Sequence, residues 1–340
     1  MTLAEYKVTS AVFHITAACE HRCPPCYMAD VRAQKPEHPP LERLLKVMDA
    51  LAEANVETVT LVGGDPGIYP HAFDLVRYGH LKGLHFGVLS NTHAYPGSSV
   101  KEMSRYVSAF ETTFHAPTAR EHDAFCRKDG AYDSVIGKLH EAKHCGQAVG
   151  LTINIIRQTA HCVFDIADAV VNREGVSADY VVIQRIIPFG GAKNKAEFVL
   201  NRNQVLSAME QVDQIHHELG LDVSVVDPFP MCVLPDHLKK YMHPCQWGLT
   251  EASVDDRGNL SRCGADPRGS LGNILERPLL DTWNHSPALI AFREQKHLLT
   301  TCKKCGERED CGGGCPLSCD RGGECGGDYL IKEETGLKFH

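Results

Sequence analysis

The chain has 340 residues, 43% hydrophobic and 23% charged, which is ordinary for a globular protein with room for one large domain and one small one. Its formal charge of −8 argues against general binding to nucleic acid or to an anionic membrane surface. No apolar run approaches the ~18–20 residues that span a bilayer, and residues 1–10 lack the apolar core of a signal peptide, so the expected compartment is the cytoplasm.

Val12–Ile15 reads as a short apolar strand, and Leu41, Leu44, Leu45, Met48, Leu51 and Ala52 then recur at helical spacing. Thr58–Val62 is a second strand, stopped by the turn Gly63-Gly64-Asp65-Pro66. Leu84–Leu89 is a third, ending at Ser90-Asn91-Thr92, and residues 109–114 are a fourth. Tyr132, Val135, Ile136, Leu139 and Ala142 mark another amphipathic helix; Leu151–Ile156 and Tyr180–Ile187 are strands five and six. Alternating strands and helices imply an α/β fold with a parallel sheet. Six units predict a partial (β/α)6, TIM-like barrel, whose chemistry belongs at the strand C-termini. Pro188-Phe189-Gly190-Gly191 closes that pattern, and Val205–Leu219 reads as a helix. Beyond Pro228, Pro230 and Pro235 the chain turns cysteine- and glycine-rich, with too little apolar material to fold without staples. The expected division is a barrel over 1–200, a helical bridge over 201–235 and a small cysteine-rich domain over 236–340.

Fifteen cysteines in a chain without a secretion signal point to metal rather than disulfides. Cys19-x3-Cys23-x2-Cys26 places three thiols on the loop after the first strand. Three thiolates hold three irons of a [4Fe–4S] cube and leave the fourth iron open. The competing reading is a zinc site with His21 as fourth ligand.

Together with the turns after strands two and three, this loop resembles the radical S-adenosylmethionine (SAM) superfamily over residues 10–190. The resemblance implies that the open iron chelates SAM, whose reductive cleavage yields a 5′-deoxyadenosyl radical that abstracts hydrogen from a substrate. It implies that Gly63, Gly64, Asp65 and Pro66, similar to the family's Gly-Gly-Glu motif, receive the SAM amino group. Ser90, Asn91 and Thr92 sit where the family contacts the ribose. Glu121-His122-Asp123, Arg127 and Gly130 resemble a stretch of the peptide-modifying branch, with Arg127 as a carboxylate contact. Asn154 and Ile186 are further SAM contacts by position. Many members have an aromatic residue before the last cysteine; here Pro25 stands there and Tyr27 follows the cysteine, so Tyr27 is a candidate cofactor contact and the adenine packing is expected to differ in detail.

Cys245 is followed by twelve residues, Gly258, four residues and Cys263; later come Cys302-x2-Cys305-x5-Cys311-x3-Cys315, then Cys319 and Cys325. This spacing resembles the SPASM domain, and the competing reading is a zinc-ribbon-like module. The resemblance implies two auxiliary [4Fe–4S] clusters, hence three in all. Cys245, Cys263 and Cys315 would serve the first, with Cys319, another group or substrate in its fourth position. Cys302, Cys305, Cys311 and either Cys325 or Cys319 would serve the second. Cys232 is a reserve ligand by proximity in sequence, and Cys145 and Cys162 read as helix-borne packing residues. Cys126, after strand four, is a candidate hydrogen-atom donor at the barrel mouth if it is not merely buried. His115, Gln184 and Arg185, at strand ends, are candidate pocket residues.

Enzymes of this resemblance mostly modify peptides or proteins by crosslinking or oxidation, and Pro188–Lys193 resembles a segment of peptide maturases. The first strand begins near residue 8, which leaves no room for an N-terminal peptide-recognition domain. A separate leader-recognition protein is then expected, or a smaller substrate, such as an aminoglycoside sugar to oxidise or epimerise, or a tetrapyrrole. Flavodoxin or ferredoxin is the expected electron donor. The non-enzymatic alternative is an iron–sulfur electron-transfer protein.

Overall fold

The computed structural model describes residues 5–34, 37–91, 100–193, 195–265, 269–318 and 327–331. Strands β1 (Ser10–Thr16), β2 (Thr58–Gly63), β3 (His85–Leu89), β4 (Val107–Phe114), β5 (Ala148–Ile155) and β6 (Tyr180–Arg185) lie side by side in sequence order, all parallel. The helices between them are α1 (Ala29–Ala33), α2 (Leu41–Glu53), α3 (Ala72–Leu81), α4 (Val100–Met103), α5 (Ala119–Cys126), α6 (Ala131–His144) and α7 (Val163–Asp168). Each crossover lays an apolar helix stripe on the sheet. In α2 the buried residues are Leu44, Met48 and Leu51 of the expected stripe together with Val47, while Leu41, Leu45 and Ala52 are partly buried against the core. Fully burying such a side chain contributes ~1.5–3 kcal/mol. Phe13 and Ile15 of β1, Leu61 of β2 and Phe114 of β4 are completely buried.

The partial barrel extends past six strands at both edges. The bridge expected to be helical holds α8 (Arg202–Leu219), capped by a reciprocal Asn201–Gln204 box, but also β7 (Asp222–Val225), which pairs parallel with β6. On the other side of β1 lies β8 (Glu251–Asp255), again parallel, followed by the antiparallel β9 (Asn259–Ser261) and β10 (Gly272–Asn273). The sheet order is β10-β9-β8-β1-β2-β3-β4-β5-β6-β7. Among the described residues, the cysteine-rich segment therefore builds no sheet of its own; its hairpin prolongs the barrel at the strand that carries the N-terminal cysteine loop. Helices α9 (Leu279–His285) and α10 (Pro287–Arg293), then the single turns α11 (Thr300–Lys303) and α12 (Arg308–Cys311), complete the described chain. Cys145 and Cys162 are not within helices: they are the C-cap of α6 and the N-cap of α7. Among the described residues, no helix is long and apolar enough to cross a membrane.

Candidate functional site

Parallel strands end together, so the loops after β1, β2, β3 and β6 meet on one face. Cys19, Cys23 and Cys26, all partly buried, follow β1. The turn after β2 presses on the start of this loop: Gly64 N–H donates to Thr16 O and Asp65 N–H to Ala18 O, each at 2.8 Å. A side chain on Gly64 would put its Cβ 2.1 Å from Ala18 O, so the approach requires glycine. The segment after β6 closes the far side. Gly191 N–H donates to Cys26 O at 2.8 Å, and a Cβ on Gly190, whose φ is +51°, would lie 2.2 Å from Tyr27 O. Part of the stretch that resembles peptide maturases thus clamps the cysteine loop.

Each of the three thiols meets a donor from another part of the chain. Asn91 Nδ2 donates to Cys19 Sγ at 3.2 Å. Arg32 of α1 reaches Cys26 Sγ at 3.7 Å, and its other nitrogen donates to the carbonyls of Cys19, at 3.0 Å, and of His21. The Cys23 sulfur lies within 4.8 Å of the Cys126 sulfur and a His21 ring nitrogen; Cys126 first, then His115 and His21, hold it below the usual thiol range against the cost of burial. Burial pushes Cys19 up to about 12, with Arg32 acting the other way.

Asp65 is 1% exposed and caps the 3-10 turn Pro66–Ile68. Its Oδ1 accepts from Gly67 N at 3.0 Å and from Ser90 Oγ at 2.5 Å. Ser90 therefore ties β3 to the β2 turn rather than capping a helix. Burial raises the Asp65 carboxyl, and these bonds pull against it. Its Oδ2 is buried with no hydrogen-bond partner among the described residues.

The remaining expected contacts are placed less uniformly. Tyr27 is 43% exposed, its hydroxyl 3.3 Å from His14 Nδ1. Burial holds His14 down to about 4, against the pull of Asp255. Asn154, next to last in β5, pairs with Gln184 of β6, both partly buried. Ile186 packs with Ile156, Ala192 and Phe198. Arg127 is exposed in the left-handed C-cap of α5. Thr92, Cys319 and Cys325 lie outside the described residues.

Three candidates are buried. Cys126 is 1% exposed, as its buried alternative has it, with its sulfur within 4.8 Å of that of Cys23. His115 is buried beside it, stacked on Phe125 at 4.3 Å. Arg185 is buried too, in an ion pair with Asp328, the two side chains 1% and 0% exposed. A charged residue at a strand end carries no sequence mark of a partner 143 residues away.

The thiols fit a cube better than a single ion. A zinc ion draws its ligand atoms within ~4 Å of one another. Among the described residues, the tight group is His21, Cys23 and Cys126, within 4.8 Å, and it includes neither Cys19 nor Cys26. Three thiolates from one loop are the ligand set for three irons of a [4Fe–4S] cluster. The unpartnered Asp65 oxygen beside it suits a cationic ammonium.

The C-terminal cysteines separate into two sets. Cys263 and Cys315 share one apolar cluster with Leu317, walled by Ile187, Phe189 and Trp247. Cys245 is also buried, and burial lifts it to about 12, with Cys315 next in effect. The second set is more open: Cys302 and Cys311 are partly buried and Cys305 is exposed, and after burial it is Cys311 and Cys305 that raise Cys302. Met231 N–H donates to Cys311 Sγ at 3.3 Å, while the neighbouring Cys232 is exposed. Sequence reasoning missed Asp227, just past β7, whose charge acts on Cys245, Cys263 and Cys315 alike; burial lifts its carboxyl to about 6. Its position at a strand C-terminus was the available signal.

Residues 13–170 match the family model described as the radical SAM superfamily, and residues 245–306 match that of SPASM, an iron–sulfur cluster-binding domain. The chain is 24% identical over 315 residues to the PqqA peptide cyclase of Xanthomonas oryzae pv. oryzae, covering 90% of this chain and 82% of that protein. It is 20% identical over 343 residues to the AdoMet-dependent heme synthase of Nitratidesulfovibrio vulgaris, covering 94% and 90%. The crystal structure of Streptococcus suis SuiB bound to S-adenosylmethionine superposes with a TM-score of 0.75 at 15% identity, covering 96% of this chain and 77% of that one.

Proposed function

We propose that this chain, whose residues 13–170 match the radical SAM superfamily model and residues 245–306 that of the SPASM iron–sulfur domain, is a radical SAM enzyme that modifies peptides at a side chain or α-carbon. The observation that carries the site reading is the meeting of Cys19, Cys23 and Cys26 with Asp65, Ser90 and Asn91 at the ends of three consecutive strands. The chemistry that the cluster and SAM supply when bound is a 5′-deoxyadenosyl radical, able to take hydrogen from an unactivated C–H bond. The protein's own residues hold and shield. Asp65 Oδ2 would hold the SAM ammonium, with the carboxylate fixed by Ser90 and the Gly67 amide. Asn91, Arg32 and the groups around Cys23 stabilise negative charge on the ligand sulfurs.

We assign three [4Fe–4S] clusters: one at Cys19, Cys23 and Cys26, one at Cys245, Cys263 and Cys315, and one at Cys302, Cys305 and Cys311 with a late cysteine. The two separate C-terminal sets support this count. The barrel, bridge and SPASM divisions at 1–200, 201–235 and 236–340 follow function rather than sheet connectivity. An external one-electron donor, flavodoxin or ferredoxin, and a cytoplasmic setting complete the reading, with a separate leader-recognition protein where the peptide needs one.

The peptide assignment is supported by likeness to a PqqA peptide cyclase over 90% of the chain. The second reading, a small substrate such as a tetrapyrrole, is favoured by the similar coverage of the heme synthase. Anaerobic turnover with SAM, reductant and the short peptides encoded beside the gene, followed by mass spectrometry, separates the two. A peptide losing two hydrogens or gaining a crosslink supports the first. Unchanged peptides together with a converted tetrapyrrole or sugar overturn it.

A further inference from the structure

Cys126 is a buried thiol for which neither cluster ligation nor SAM binding has a use. Its position is built rather than incidental. Thr118 caps the start of α5, and Asp123 accepts from the amides of Gly130 and Tyr132 at 2.6 and 2.9 Å, fixing the turn that follows the helix. Arg127 adopts φ +53° to end α5 at that point. The Cys126 carbonyl then accepts from Arg22 N–H at 2.8 Å, docking the helix end on the cysteine loop. The result places the Cys126 and Cys23 sulfurs and a His21 ring nitrogen within 4.8 Å of one another.

We propose that the Cys126 thiol donates a hydrogen bond to the Cys23 sulfur when Cys23 is a cluster ligand, and so raises the reduction potential of that cluster and slows its loss. The inference rests on the reading of Cys19, Cys23 and Cys26 as the SAM-cluster ligands. A ligand sulfur is an acceptor only, so the proton belongs to Cys126. Reduction adds negative charge that spreads to the ligand sulfurs, and a donor there stabilises the reduced state more than the oxidised one. The other two sulfurs already have such donors, Asn91 on Cys19 and Arg32 on Cys26. Cys126 completes the set from a third element. His115 and His21 also face Cys23, so Cys126 is one of several donors on that sulfur. At 1% exposure it is badly placed to give a hydrogen atom to substrate. It is a positioning residue, not a catalytic one.

The test compares wild type with Cys126→Ala and Cys126→Ser, reconstituted anaerobically. Electron paramagnetic resonance follows each cluster during a redox titration, and the spectral change on adding SAM identifies the relevant one. The proposal predicts full iron loading in all three proteins. Alanine should have a lower midpoint potential and release iron to a chelator roughly fivefold faster, the size of one hydrogen bond; serine should stay near wild type. If alanine impairs folding, Cys126→Thr against Cys126→Val gives the same contrast at constant shape. Equal potentials with and without a donor at 126 overturn the proposal. So does one zinc per chain in wild type that disappears in Cys126→Ala, because Cys126 would then ligate a single ion with His21 and Cys23. Absence of any SAM-sensitive cluster signal in wild type instead defeats the underlying reading of the three cysteines.

Discussion

Ser90 Oγ donates to Asp65 Oδ1 at 2.5 Å, joining the end of β3 to the turn after β2; the second Asp65 oxygen is buried and, among the described residues, unpartnered. A hydrogen bond to a charged group contributes ~1.5–3 kcal/mol. Ser90→Ala should therefore weaken SAM binding by about ten- to a hundredfold with all clusters present. Asp65→Asn keeps the shape but loses the charge, and should weaken it at least as far. Equilibrium dialysis of SAM against the reconstituted variants reads both.

The Gly190 contact with Tyr27 O predicts a selective lesion. Gly190→Ala adds a Cβ 2.2 Å from a backbone oxygen at a left-handed position, so the cysteine loop must shift. The N-terminal cluster should be lost while the auxiliary clusters stay, reducing iron from about twelve to about eight per chain. Iron analysis with Mössbauer spectroscopy checks this; uniform loss from all sites would point to general misfolding instead.

Burial orders the two C-terminal cysteine sets. Cys245, Cys263 and Cys315 are 8%, 7% and 4% exposed, whereas Cys305 is open to solvent. Chelator or dioxygen should strip the cluster at Cys302, Cys305 and Cys311 first. Timed Mössbauer spectra of labelled protein should show two phases of iron loss, with Cys305→Ala removing only the fast one.

The Arg185–Asp328 pair ties β6 to the last described segment, with Arg185 also over the Phe229 ring at 4.8 Å. Removing one partner strands a buried charge and costs ~3–5 kcal/mol. Asp328→Asn should lower the anaerobic urea midpoint accordingly, and Arg185→Met with Asp328→Leu should recover most of it. Equal destabilisation by the single and double variants would show that the pair's shape, not its charge, matters.

The barrel was legible because local signals repeat: the apolar run of β2 stops at Gly63-Gly64, and the α2 stripe has helical period. The six strands fall where alternation puts them, within a few residues. Joining of β8 to β1 was not legible, because five residues such as Glu251–Asp255 carry no mark of which edge they will pair with. The cysteine spacings were legible as covalent chemistry with fixed ligand needs. What surrounds the sulfurs was not. Asn91 could be read as a strand-end polar residue, but its aim at Cys19 depends on how β3 and β1 are spaced. Cys126 sits between Asp123 and Arg127, a charged setting that suggests exposure, yet the helix end is turned inward by its bond to Arg22. Arg185 looked like a pocket residue for the same reason: strand-end position is local, and its partner is not.

The central claim is that Cys19, Cys23 and Cys26 hold a cluster that works on SAM beside Asp65 and Ser90. The direct measurement is 5′-deoxyadenosine formed by anaerobically reconstituted protein with SAM and dithionite, compared with a Cys19→Ala/Cys23→Ala/Cys26→Ala variant that keeps its C-terminal cysteines. The account predicts steady 5′-deoxyadenosine formation by the wild type and none above background by the variant, whose auxiliary iron remains. Equal 5′-deoxyadenosine from both, or none from a fully iron-loaded wild type with its substrate present, would contradict it.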